Sequence, residues 1–111
     1  MLPKPYINGW TVTLTDDTIG SSDFEGTSQS ISKDDLHKVV IVTDSSGPWG
    51  EDLIWLGYDI KGELAFGFPL GAKNEQDFIR YLTTLPGYDD KALVNAMSST
   101  SEAYFIIWQR P

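Results

Sequence analysis

The hydrophobic pattern of this chain changes period at Pro69, and that change limits the fold more than any other feature. Up to Phe68, apolar residues recur at every second position or in short β-branched runs, as in strands. From Asn74 to Met97 they recur every three to four residues, as in helices, and a last strand-like run spans Tyr104 to Trp108. Strands followed by helices point to an α+β domain.

Trp10-Thr11-Val12-Thr13-Leu14-Thr15 alternates, with Trp10, Val12 and Leu14 on one face and threonines on the other, a half-buried strand. His37 to Thr43 is β-branched and apolar on both faces at its centre, as expected of an interior strand. Leu53 to Ile60 sets Ile54, Leu56, Tyr58 and Ile60 on one face and Leu53 and Trp55 on the other. Lys61-Gly62 supplies a two-residue hairpin turn, Glu63 to Phe68 returns, and Pro69 stops the strand. Tyr104 to Trp108, apolar on both faces, is expected in the sheet interior. Residues 16–35 show no usable period, because Gly20, Gly26 and several serines lie among six acids and one lysine. They read as a long connection, unusual inside a compact domain unless mobile or functional.

Asn74 is placed to cap a helix with Glu75 and Asp77 in its first turn and Phe78, Ile79, Leu82 and Leu85 as its apolar stripe. Pro86-Gly87 ends it. A second helix from about Asp89 turns Ala92, Leu93, Ala96 and Met97 inward. The expected fold is therefore one domain over 1–111, ordered β-β-β-β-α-α-β. Its five-stranded, mainly antiparallel, curved sheet carries two helices on one face. The other face, holding Leu53, Trp55, Phe105 and Ile107, must curl on itself or lie under the acidic loop.

At 111 residues the chain buries a single core, and 13% aromatic residues supply much of its packing. Without cysteine there are no disulfides, thiolate metal sites or cysteine nucleophiles. The first residues lack the apolar run of a signal peptide, and no stretch reaches the length of a membrane span. A cytoplasmic protein, not bound to a membrane, is expected.

Chemistry is sparse. The single histidine, His37, begins a strand beside Lys38 and reads as a strand-end residue, not a base. No Gly-x-Ser-x-Gly elbow accompanies it, and Ser45 and Ser46-Gly47 read as turn residues. The carboxylate pairs Asp16-Asp17, Asp34-Asp35, Glu51-Asp52 and Asp89-Asp90 lack the offsets of a calcium loop, and adjacent strand residues face opposite ways. The glycines form no phosphate-cradling motif. The expectation is a protein that is not an enzyme, with no cofactor and no metal.

Charge is the remaining clue. Residues 1–63 carry eleven acids and four lysines, a balance of −7, whereas residues 64–111 stand at −1. A one-signed field steers oppositely charged partners and disfavours direct nucleic-acid binding, which needs a cationic surface. A charge run is most often a solubilising face. Here, however, the acids gather in two irregular segments, 16–35 and 44–52, where loops present them. The second holds Trp49 beside Glu51 and Asp52. That Trp reads either as a partner anchor or as a plug folded onto the core. The candidate contact surface is Asp16, Asp17, Asp23, Glu25, Asp44, Trp49, Glu51 and Asp52.

The run Leu56-Gly57-Tyr58-Asp59, then Gly62-Glu63-Leu64-Ala65-Phe66-Gly67-Phe68-Pro69-Leu70-Gly71, leads into the helix Phe78 to Leu85 with Pro86-Gly87 after it. In these residues, roughly the second half of the chain, it resembles the immunity proteins of bacterial toxin–immunity systems, including contact-dependent growth inhibition. The resemblance implies a cytosolic inhibitor that binds one cognate toxin domain, often a basic nuclease, as a one-to-one complex and blocks its active site. Two other readings stand beside it. One is a DNA-mimic inhibitor of a DNA-binding enzyme, for which a charge of −8 is light. The other is a small ligand-binding or enzymatic domain using the groove between sheet and helices.

Overall fold

The computed structural model describes residues 9–23, 25–44, 52–99 and 102–111, with the backbone alone at Asp44 and Asp52. Its elements are β1 (Thr11–Leu14), β2 (Thr18–Ser22), β3 (Ser28–Ser32), β4 (Leu36–Asp44), β5 (Asp52–Asp59), β6 (Leu64–Pro69), α1 (Glu75–Leu82), α2 (Asp90–Met97) and β7 (Ala103–Gln109). The α+β class holds. The single five-stranded sheet does not: the described residues form two antiparallel sheets, β1-β2-β3 and β6-β5-β4-β7.

The second sheet's worth of strands comes from the segment expected to be an irregular loop. β2 and β3 carry one aliphatic residue each, and register sets Leu14, Ile19 and Ile31 side by side. One apolar residue per strand is too few to produce a period, yet it seats each strand on the core. Gly20 lets β2 and β3 approach closely, since a Cβ there would collide with the Gln29 carbonyl and with Ser30. The small sheet is then tied to the large one. Buried Ser21 donates its hydroxyl to the Gly67 carbonyl at 2.7 Å, and β1 exchanges backbone hydrogen bonds with Lys73.

The shared core lies between the small sheet, one face of the large sheet and both helices. Phe78 of α1 stands edge-on to Trp55, Phe66 and Phe68, with centroids 5.1, 6.0 and 5.2 Å away. The Trp55 Nε1–H donates to Oε2 of buried Glu75 at 2.9 Å, and Oε1 of Glu75 accepts from the Gly71 N–H. Leu53, Trp55, Phe105 and Ile107, expected on the side away from the helices, all pack into this cluster. The face that remains outside is instead the one bearing Ile54 and Leu56.

Four further expectations are corrected by local chemistry. β7 is an edge strand, not an interior one. A bulge opposite Val39 and Val40 lets both Ile107 and Trp108 turn inward, which explains their consecutive apolar identity. The β5–β6 turn is longer than two residues: Asp59 Oδ1 accepts from the Lys61 and Glu63 N–H groups, and Gly62 takes φ 82°. Asn74 makes no side-chain cap. It sits at φ 71° and its amide donates to the Val12 carbonyl, fastening α1 to β1. Met97 is not inward but 42% exposed, whereas Asp89 does cap α2 by accepting from the Ala92 N–H.

The tight contact at Gly20 makes Gly20→Ala destabilising by about 1–3 kcal/mol, the usual cost of forcing atoms into packed space. Phe78→Ala is expected to cost about 3–5 kcal/mol. Urea midpoints of the two variants against the parent check both values.

Candidate partner-binding surface

The hairpin that places Asp16 and Asp17 is organised by threonine, not by the acids. Thr15 Oγ1 accepts from the Asp17 and Thr18 N–H groups and lies 2.8 Å from Thr18 Oγ1, leaving both carboxylates exposed at the turn. The next turn, Lys33 to Asp35, is fastened to it by the Lys33 N–H, which donates to the Asp17 carbonyl at 2.8 Å. Asp16, Asp17, Asp34 and Asp35 therefore share one end of the molecule, where the Leu36–Asp59 pair begins the β4–β5 ladder.

Asp23 and Glu25 lie elsewhere. The Thr11–Ser22–Ser28 register puts their turn at the opposite end of the small sheet from Asp16 and Asp17. Asp23 Oδ1 accepts from the Glu25 and Thr27 N–H groups and shapes that turn, with Gly26 at φ 90°, so this carboxylate is partly engaged in local structure. Asp44 and Asp52 are register partners closing the far end of the β4–β5 ladder. Trp49 and Glu51 lie outside the described residues. The six candidates among the described residues thus divide between two ends of the fold. Asp34 and Asp35, absent from the candidate set, join Asp16 and Asp17 through a strand pairing invisible to composition.

The acids at the Asp16–Asp35 end form no ion pair among the described residues. Among the described residues the ion pair is Arg80 with Asp77, on α1. Lys33 Nζ sits 4.6 Å from the Tyr81 ring centroid, and Lys38 Nζ 5.3 Å from that of Tyr58, each on an aromatic face instead of a carboxylate. Arg110 donates to the Leu36 and Lys33 carbonyls and lies over Trp108. Its guanidinium closes the Lys33–Leu36 turn from below without pairing an acid.

His37 occupies the bulge between Leu36 and Lys38, with its buried Nδ1 unpartnered among the described residues. No group of three or more His, Asp or Glu there is arranged to hold a metal, and no helix there is long and apolar enough to cross a membrane. No family model matches the chain, and neither a curated protein nor a solved structure matches it.

Two tyrosines near the acidic turns are perturbed. Burial, with the Asp34 charge adding and Arg110 opposing, lifts Tyr81 above its ordinary 10.0. Burial, the hydrogen bond to Asp90 and the charges of Asp90 and Asp89 lift Tyr88. A raised folded-state value means the associated stability is complete below the ordinary value and is lost as pH rises through the folded one. Alkaline denaturation midpoints should therefore fall as pH rises beyond 10.0, with Tyr81→Phe removing part of the slope.

Proposed function

We propose that this chain is a protein inhibitor of the immunity type, which binds a basic toxin domain in the cytoplasm and covers its active-site cleft. The observation that carries the reading is the end formed by Asp16, Asp17, Asp34 and Asp35. Two turns are hydrogen-bonded together, their carboxylates are exposed, and the adjacent lysines are drawn to aromatic rings. Exposed anions not held in ion pairs steer a cationic partner and raise its encounter rate, and a cleft built for phosphates offers the complementary charge. A nuclease domain fits that description, the inhibitor reading needs no catalytic group, and the resemblance in residues 56–87 points the same way.

The test begins with co-purification from the native host, taking the product of the neighbouring gene as the first candidate partner. Association rates are then measured at several salt concentrations. Reversing all four acids to lysine should slow association by about tenfold or more at low salt and flatten the salt dependence, with little change in dissociation. An unchanged rate at low salt would show the wrong surface. Competition by duplex DNA for the same partner would favour cleft occlusion over binding elsewhere.

A further inference from the structure

A strand in an antiparallel sheet turns the backbone groups of alternate residues to each side, so an outermost strand leaves every second N–H and C=O without a ladder partner. The two sheets have β1, β3, β6 and β7 as outermost strands. All but β3 are engaged there by other parts of the fold. Lys73 lies along β1, accepting from the Val12 N–H and donating to the Trp10 carbonyl, each at 2.8 Å. On β6 the Gly67 carbonyl accepts from the Ser21 hydroxyl, and Pro69 has no N–H to offer. On β7 the Ile107 carbonyl accepts from the Asp89 N–H at 2.8 Å, and the Trp108 indole donates to the Pro86 carbonyl.

The register shows which groups β3 turns outward. The Thr15 N–H donates to the Thr18 carbonyl, so Thr18, Gly20 and Ser22 face β1 with their backbone groups, and Ile19 and Ser21 face β3. Opposite these, Ile31 and Gln29 spend theirs on β2, and Ser28, Ser30 and Ser32 point theirs the other way. The Ser32 carbonyl accepts from the Asp35 N–H. Nothing among the described residues takes the N–H or C=O of Ser28 or Ser30, and both residues are exposed, as is Gln29 between them. β3 also lacks the usual guards of an edge: it holds no proline and no charge, and its ladder with β2 has no bulge.

The charges beyond its ends select the strand that adds. Exposed Glu25 lies past Ser28, and exposed Asp34 and Asp35 lie past Ser32. The base among them, Lys33, has its Nζ over the Tyr81 ring. A second copy of β3 laid antiparallel would bring Glu25 towards Asp34 and Asp35, and laid parallel would set each acid beside itself. Like charges facing across a strand pair destabilise it. An extended segment with lysine or arginine at both ends meets the same acids with opposite charge.

We propose that the free edge of β3 receives an extended segment of a basic protein as an added strand, matched to Ser28–Ser32 and flanked by cationic residues. The inference rests on the reading of the chain as a binder of a basic protein and specifies how the partner docks. The N–H and C=O of Ser28 and Ser30 bond the added main chain, and the acids at the two ends choose among sequences.

The experiment follows backbone amide exchange by NMR in the full chain, alone and with about 1 mM of the peptide Lys-Lys-Val-Thr-Val-Thr-Val-Lys-Lys. Alone, Ser28 and Ser30 should exchange about tenfold or more faster than Gln29, Ile31 and Val12, whose N–H groups are paired. The peptide should slow Ser28 and Ser30 by about tenfold, and the same peptide with glutamate in place of lysine should not. Ser30→Pro removes an N–H unused within the fold and sets a ring against the incoming strand, so peptide affinity should fall about tenfold. If circular dichroism finds that variant unfolded, Ser28→Pro takes its place. Slow exchange of Ser28 and Ser30 in the chain alone overturns the proposal. So do protection at other strands instead, equal protection by the glutamate peptide, no protection, or unchanged affinity of the proline variant. Protection that rises with chain concentration in the absence of peptide marks a second copy and overturns it as well. A basic protein co-purified from the host that binds the proline variant with wild-type affinity overturns strand addition and leaves the inhibitor reading intact. Peptide binding at β3 with no basic protein captured from the host removes the inhibitor reading and supports the edge as a receptor for basic segments.

Discussion

Phe78 standing edge-on to Trp55, Phe66 and Phe68 is the contact on which the rest of the molecule depends. It holds α1 against the large sheet, and the Trp55–Glu75 hydrogen bond fixes the helix's rotation and height. A buried carboxylate is costly unless its oxygens are satisfied, and Glu75 uses one oxygen for the indole and the other for the Gly71 N–H. The same bond therefore positions the loop at residues 70–74. That loop carries Lys73 to its exchange with Trp10 and Val12, and Asn74 to the Val12 carbonyl. The small sheet hangs on this chain of contacts, with Ser21 as its second tether.

Electrostatically, the roles of the two signs of charge are separated. Aromatic rings and backbone carbonyls hold Lys33, Lys38 and Arg110, so these cations serve packing without entering an ion pair among the described residues. The described acids are distributed between the turns at both ends of the strands, and Ile54, Leu64, Tyr104 and Ile106 of the large sheet keep 40–55% of their surface exposed.

Much of the fold was legible in the residues themselves. The alternation of Trp10, Val12 and Leu14, the stripe of Phe78 and Leu82, and the Asp89 cap each express one local rule and each appear in the structure. The failures share a cause: tertiary context decided between patterns that look alike in sequence. β2 and β3 each show only one apolar residue, so their strands exist by virtue of what Leu14 and the core offer across the ladder. β7 is apolar on both faces for two unrelated reasons, a bulge at one end and an exposed strip at the other. The choice of core face in β5 was equally hidden, since Trp55 and Leu53 compete with Ile54, Leu56 and Tyr58. Bulk decided it, because the indole fills the space against Phe78. For the candidate surface, acid content was legible but grouping was not, because the Lys33–Asp17 hydrogen bond joins turns whose proximity requires the β2–β3 pairing.

The placement of β7 beside β4 has a kinetic meaning. The Arg110 guanidinium grips the Lys33 carbonyl across 77 residues of chain, and the central strand acquires its second neighbour only through that long-range closure. Nearest-neighbour hairpins such as β1–β2, β2–β3, β4–β5 and β5–β6 close short loops, whereas β4–β7 closes a long one and is correspondingly slow. Until it forms, β4 presents a bare apolar edge. The most vulnerable moment of this protein's life is thus the interval before its last strand docks, when that edge is open to any other extended chain.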